Sequence, residues 1–448
     1  SGDEIGVARI TAVTSNLIAT VTVLQEFTGA IIVGVKGTDC VVRENIYTTN
    51  NGYPVSSTFI QNRLAFGATE RLPALVAMSK PAAYTNFDTG TGEPDDAIVD
   101  LLQTDGISAI KYLIGEASLE VFTTDAEIVG SLSVDSDSSA DSTSFHLQTH
   151  NGISNVAPQF LDNQVFFVTK GGKKLHNFMF DDTTRSFQSL DVSIFSPHLI
   201  KNPVSMTTLQ NNPNSAADWL LIVNEDGTLI AYQSVLEQKV SAFTPLITDG
   251  SFQDVTRVDD EIFFIIKREI NGADCYYLEQ LNFNSVTDSN VINTYTVPTA
   301  TITGLSHLEG KTLDVIADEI IYQTLTVTGG SVTLEKTATN VEAGLHYTPV
   351  VIPNPPQPAT QMGSAFFDIK SIPIVYLYYY ESIAIKINDV TIPYRKFGTT
   401  AFDKPVAKTE VYEFINLDNS SRQPTVTFSQ TLPYPMTILA VGYKVEIE

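Results

Sequence analysis

With 448 residues, 43% of them hydrophobic, the chain is too long for one ordinary core and too apolar for disorder, so two or three packed domains are expected. Its 51 acids against 26 bases leave a net charge of −25, and no basic run exceeds Lys173-Lys174, which argues against tight nucleic-acid binding while allowing nucleic acid to slide past. Two distant cysteines, Cys40 and Cys275, argue against a disulfide framework or a thiol metal site, and no apolar run approaches the roughly 18 residues of a membrane span.

In chain order, the sequence opens at Ser1 without a basic-then-apolar signal pattern, as expected of a soluble processed product or fragment. Residues 5–35 alternate apolar and polar, predicting a small N-terminal β unit, or the end of a larger domain, within residues 1–50. The same alternation continues through residues 51–348, where helical periodicity is hard to find, so the fold class is all-β. Hairpin turns are predicted at Gly171-Gly172, Asp226-Gly227, Asn271-Gly272 and Gly329-Gly330, residue pairs that supply the positive φ angles tight turns need. A strand-turn-strand unit recurs from near Arg63, Leu119, Gln164, Trp219, Ile262 and Thr312. That spacing approaches the roughly 40–50 residues of a propeller blade, so an irregular β-propeller-like ring of about six blades is expected. Five prolines between Pro349 and Pro358 read as a stiff linker over residues 349–358, and residues 359–448 as a C-terminal β-sandwich or barrel.

Candidate chemistry is sparse. The loop "TNFDTGTGEPDDAI", residues 85–98, gathers Asp88, Glu93, Asp95 and Asp96, but their spacing fits no calcium loop, and Gly90 and Gly92 lack the third glycine of a dinucleotide fingerprint. In "DSDSSAD", Asp135, Asp137 and Asp141 alternate as in a calcium loop. Ala140 replaces the turn glycine and His146 the bidentate glutamate, so a solvated acidic loop is expected. Gly310-Lys311-Thr312 resembles the end of a phosphate loop in the wrong context, and His146 and His150 lack the glutamate of a zinc-protease helix. No serine is framed by glycines as a nucleophile elbow requires. Tyr376, Tyr378 and Tyr380 share one strand face that suits half-buried packing or stacking on sugars. No catalytic residue, cofactor site or metal site emerges, and function is expected to reside in shape.

Residues 57–98 resemble the signature of tail nozzle proteins, or tail tubular protein B, of short-tailed bacteriophages. The resemblance rests on Gln61, Arg63, Leu64, Phe66 and Gly67, then Pro73, then Asn86 and Phe87, then Asp95 and Asp96 ahead of Ile98. Supporting similarity runs through residues 152–182, 385–405 and 432–448. The resemblance implies a non-enzymatic virion subunit, a homohexameric tube below the portal and adaptor ring that conducts genomic DNA during ejection, with tail fibres as further neighbours. In such a tube the net charge of −25 per copy makes a like-charged wall to which phosphates do not adhere, with Asp135, Asp137 and Asp141 as candidate lumen or tip acids. The resemblance also makes the 85–98 loop a structural connection in which Asp95 and Asp96 cap turns. The long N-terminal region that docks family members to the adaptor is not visible here, and Trp219 is the single tryptophan. A polysaccharide-binding or glycan-degrading propeller is the alternative.

Overall fold

The computed structural model of the chain describes residues 7–15, 18–25, 46–49, 51–89, 93, 95–102, 108–131, 144–210, 212, 217–235, 238, 240–360, 363–395, 398, 405–415 and 420–447. The chain divides into two compact units, Ser1–Tyr53 and Pro54–Glu448. In the first, Val7–Ser15 pairs antiparallel with Ile18–Gln25. Cys40 and much of residues 5–35 outside this hairpin lie beyond the described residues.

The second unit is all-β and antiparallel, and among the described residues its only helices are short 3-10 turns. Sheet 1 comprises Ser56–Ile60, Arg63–Gly67, Leu75–Met78 and Ile98–Leu101; sheet 2 comprises Ile110–Gly115, Leu119–Thr123, Glu127–Ser131 and Ser144–Thr149. Sheet 3 is Gln159–Leu161, Gln164–Val168, Leu175–Asp181 and Ser186–Asp191; sheet 4 is Pro203–Leu209, Trp219–Asn224, Leu229–Val235 and Val240–Leu246. All four are simple meanders. Sheet 5 has three strands, Ser251–Val258, Glu261–Ile270 and Ala273–Gln280. The six predicted repeat positions all fall at the start of the second strand of a sheet, or within one residue of it, so the period is right and the phase is late by one strand. The reason is burial: Leu119–Thr123 and Gln164–Val168 are buried along their whole length and read as continuous apolar runs, the strongest signal in each sheet.

Sheet 6 departs from the expected hairpin. Gly329 and Gly330 do turn the chain with positive φ, yet Ser331–Leu345 pairs with Asp288–Thr303 and Thr312–Ala317, and Ile320–Thr326 lies on the far side of Thr312–Ala317. The turn is held by the Glu309 carboxylate, which accepts the Gly329 and Gly330 amides at 2.9 and 2.6 Å.

Successive sheets stack face to face. Val76, Met78, Leu113 and Val121 fill the space between sheets 1 and 2; Phe122, Phe167 and Phe178 that between 2 and 3; Phe166, Ile222 and Tyr232 that between 3 and 4; Val223, Val255 and Phe264 that between 4 and 5. Connectors also rivet one sheet to the next. Ile153 donates its amide to Thr123 O in the second hairpin of sheet 2, while Lys170 in the matching hairpin of sheet 3 donates to Gly152 O, both at 2.9 Å. Asn202 repeats the device between Gly172 and Glu225, and Phe252 donates to Gly227 O.

In the C-terminal portion, Lys408–Ile415, Lys370–Ser382 and Thr437–Ile447 form one sheet, and Val350–Val351, Phe428–Ser429, Lys386–Ile387 and Val390–Thr391 another. They share a core of Val375, Leu377, Ile387 and Phe428. Val350–Val351 lies inside the proline-rich stretch and pairs with Phe428–Ser429, so this stretch is tied to the C-terminal sheets.

Candidate functional site

Most of the residues that carry the nozzle resemblance gather at the Arg63 end of sheet 1, while Gly67 and Pro73 lie at its other end. Gln61 and Asn62 take φ of 43° and 63°, the left-handed pair of a tight hairpin, and deliver Arg63 to the inward face shared with Ala65 and Gly67. Arg63 is buried, and its Nη1 donates to the carbonyls of Ser79 at 2.8 Å and Asp96 at 2.6 Å, joining segments 33 residues apart. Burial pushes the guanidinium below its usual value, with Asp95 and Asp96 opposing. Asp96 is buried too: its carboxylate accepts Lys80 Nζ at 2.6 Å and the Glu93 amide at 2.9 Å. The Lys80 ammonium is raised above its usual value chiefly by that hydrogen bond.

The other motif residues add to the lock or, for Gly67 and Pro73, fit sheet 1 to sheet 2. The Leu64 amide donates to Ser79 Oγ, the Lys80 amide to Asn86 O, and the Phe66 and Phe87 rings stack at 5.3 Å. Gly67 lies where a Cβ would stand 3.0 Å from Ile110 and Leu113 of sheet 2, and Pro73 O accepts the Ile110 amide. Asp96 therefore makes a turn bond of the expected kind, while Asp95 is exposed. Asp96→Asn is expected to lower stability by about 1–3 kcal/mol, read as a lower urea midpoint, because one charge-assisted acceptor is lost from a buried pair.

Gly90, Gly92, Asp135, Asp137 and Asp141 lie outside the described residues. His146 is exposed on its strand beside Ser144 Oγ, and Lys311 pairs with Asp249 at 2.8 Å. Tyr376, Tyr378 and Tyr380 form an exposed row on the middle strand of the C-terminal sheet, while Leu377 and Tyr379 point into its core. A cleft of about 510 Å³ on sheet 6 is lined by Asn293, Thr294, Asp318, Asn340 and Glu342. Two of its acids are engaged: Asp318 accepts the amides of Thr339 and Asn340, and Glu342 those of Val286 and Thr287. Among the described residues no group of three or more His, Cys, Asp or Glu side chains is placed to hold a metal ion, and no helix is long and apolar enough to cross a membrane.

Sequence reading missed the buried charges. Arg268 has its side chain fully buried, forms a two-pronged pair with Glu279, both contacts at 2.8 Å, and donates to Asp249 O at 2.7 Å; Asp288 of sheet 6 lies 3.7 Å from Nη2. Between sheets 2 and 3, Glu120, Glu127 and His176 are buried, and each has one side-chain atom without a hydrogen-bond partner. The available signal was an ionisable residue at an inward position of an apolar strand, as Glu120 is in "LEVFT".

No family model matches the chain, and no curated protein matches it. Among solved structures it is similar to a chain of one described as the crystal structure of a mitotic checkpoint complex, at 10% identity over 54% of this chain and 89% of that one. The TM-score is 0.23, which carries no argument about fold or role.

Proposed function

We propose that this chain is a structural subunit of the tail nozzle of a short-tailed phage. Six copies form a tube beneath the adaptor ring; it retains genomic DNA in the virion and conducts it out during ejection, without cofactor or chemistry of its own. On this reading sheets 1 to 6 are the blades of an irregular β-propeller-like ring, followed by a small C-terminal sandwich or barrel. The observation that supports it best is the lock on sheet 1. The residues that carry the resemblance, Arg63, Asp96, Phe66 and Phe87, direct their contacts at other parts of this chain, as parts of a scaffold do.

The net charge of −25 fits the same role. Six copies multiply it, and a like-charged wall keeps phosphates from adhering in transit. Electron microscopy of the particle carrying this chain tests the assignment: sixfold density around an axial channel at the tail tip is expected, and isolated molecules on fibres or free in solution would discard it. Replacing acids found to line that channel with lysine is expected to permit assembly and to slow DNA ejection, most at low salt where screening is weakest. Ejection kinetics unchanged across salt would refute the charge argument.

The exposed row Tyr376, Tyr378 and Tyr380 favours the second reading, a glycan-binding or glycan-degrading tail protein. Release of reducing sugar by the purified chain, abolished by a single Asp or Glu replacement, would select it over the nozzle.

A further inference from the structure

We infer that the seam between sheets 2 and 3 is a pH-operated joint, held shut at mildly acidic pH and loosened above neutrality, with Glu120 as its trigger. The inference goes beyond the nozzle reading and needs nothing from it.

Register defines the two faces. Glu120 lies opposite Val129 and Phe122 opposite Glu127, so all four share the face of sheet 2 that meets sheet 3. Across the seam stand Val165, Phe167, His176, Phe178, Ser189 and Asp191, paired side by side. The Phe122 ring centroid is 5.3 Å from that of Phe167 and 5.6 Å from that of Phe178, so the surroundings are aromatic and dry.

Into this apolar joint the chain inserts two carboxyls and an imidazole. Glu127 Oε2 accepts Thr149 Oγ1 and the Asn151 amide; Asn151 Nδ2 donates to Ser189 Oγ at 3.1 Å, which lies 2.8 Å from His176 Nδ1. That relay crosses the seam, yet Glu127 Oε1, His176 Nε2 and Glu120 Oε2 remain buried without partners. An unpaired buried carboxyl or imidazole is most stable while neutral, which ties closure to the protonation of Glu120 and His176. The charge that bears on Glu120 is Glu116 of its own sheet; Tyr112 and Glu127 share its face, and His176 and Asp191 lie on the facing sheet, Asp191 itself held by Lys174.

The signs of the two titrations differ. Burial, reinforced by Glu116, pushes the Glu120 carboxyl up to about 8 from 4.5. The closed seam therefore holds a proton that the opened, solvated residue releases, and opening grows more favourable as pH rises from about 4.5 to about 8, then levels. Burial depresses His176 below 6.5, with Asp191 opposing, so opening takes up a proton and is favoured as pH falls below 6.5. Below that pH the two oppose each other. Above it Glu120 dominates, and its effect grows about 15-fold between pH 6.5 and 8, the slope flattening as pH approaches 8.

Hydrogen exchange on the full chain, corrected at each pH for intrinsic amide rates, tests the joint. Protection across residues 119–131 and 164–191 is expected to fall about 15-fold between pH 6.5 and 8 while residues 219–235 of sheet 4 keep theirs, and Glu120→Gln is expected to flatten the slope. Seam protection that merely follows sheet 4, or the wild-type slope persisting in Glu120→Gln, would overturn the proposal. If Glu120→Gln does not fold, Glu120→Leu serves the same comparison. If neither folds, infrared spectra of the wild type decide: a protonated-carboxyl band present at pH 7 and gone by pH 9 is expected, and its absence at pH 7 refutes the trigger.

Discussion

Arg268→Met is expected to lower stability by about 3–5 kcal/mol, read as a large fall in the urea midpoint, the greatest effect of any single substitution considered for this chain. The guanidinium is fully buried where sheets 5 and 6 meet, and it satisfies both oxygens of Glu279 together with the Asp249 carbonyl. Removing it leaves Glu279 and Asp288 as neighbouring carboxyls without their shared cation. Asp288 is already raised above the usual carboxylate range by burial, with Thr248 and Arg268 drawing it down, so losing Arg268 drives it further up. The cost therefore lies in the stranded acids more than in the bridge itself. The double replacement Arg268→Met with Glu279→Leu is accordingly expected to recover much of the loss, since apolar substitution of a whole buried pair is often neutral. A double variant no more stable than the single one would show that Arg268 acts through its packing.

Gly152→Ala should be nearly as damaging, at about 3 kcal/mol, while Gly171→Ala should change stability by less than about 0.5 kcal/mol. Gly152 has φ of +66°, and a Cβ there would sit 2.2 Å from Thr124 O, a backbone atom that cannot swing aside. Its neighbour Ile153 donates to Thr123 O and its own carbonyl accepts from Lys170, so relieving the clash breaks the rivet between sheets 2 and 3. A Cβ on Gly171 meets nothing within 4 Å. Urea midpoints of the two variants check this directly: equal midpoints would mean that the connector can shift at little cost.

The two substitutions act on opposite kinds of junction. Sheets 1 to 5 stack mainly through apolar side chains, with a polar relay added between sheets 2 and 3, whereas the Arg268 cluster requires particular partners in particular places. The rivets at Gly152, Asn202 and Phe252 belong to the backbone, so they constrain the connectors whatever side chains surround them.

By itself the sequence determined the all-β class, the positions of six strand-turn-strand units and the turns at Gly171-Gly172, Asp226-Gly227 and Asn271-Gly272. Two-residue alternation and the left-handed freedom of Gly and Asn are local properties that survive any change of surroundings. Tertiary structure alone decided that Ser331–Leu345 would leave its preceding strand for Asp288–Thr303 and Thr312–Ala317. It alone joined Arg63 to Ser79 and Asp96, and Arg268 to Glu279 and Asp249. It also decided that Glu120 and His176 would both be buried in one seam while Tyr376, Tyr378 and Tyr380 stayed exposed. The physical reason is common to all of these: which strand lies alongside, and how much water remains around a charge, depend on residues far away in the chain, and no short window of sequence contains them.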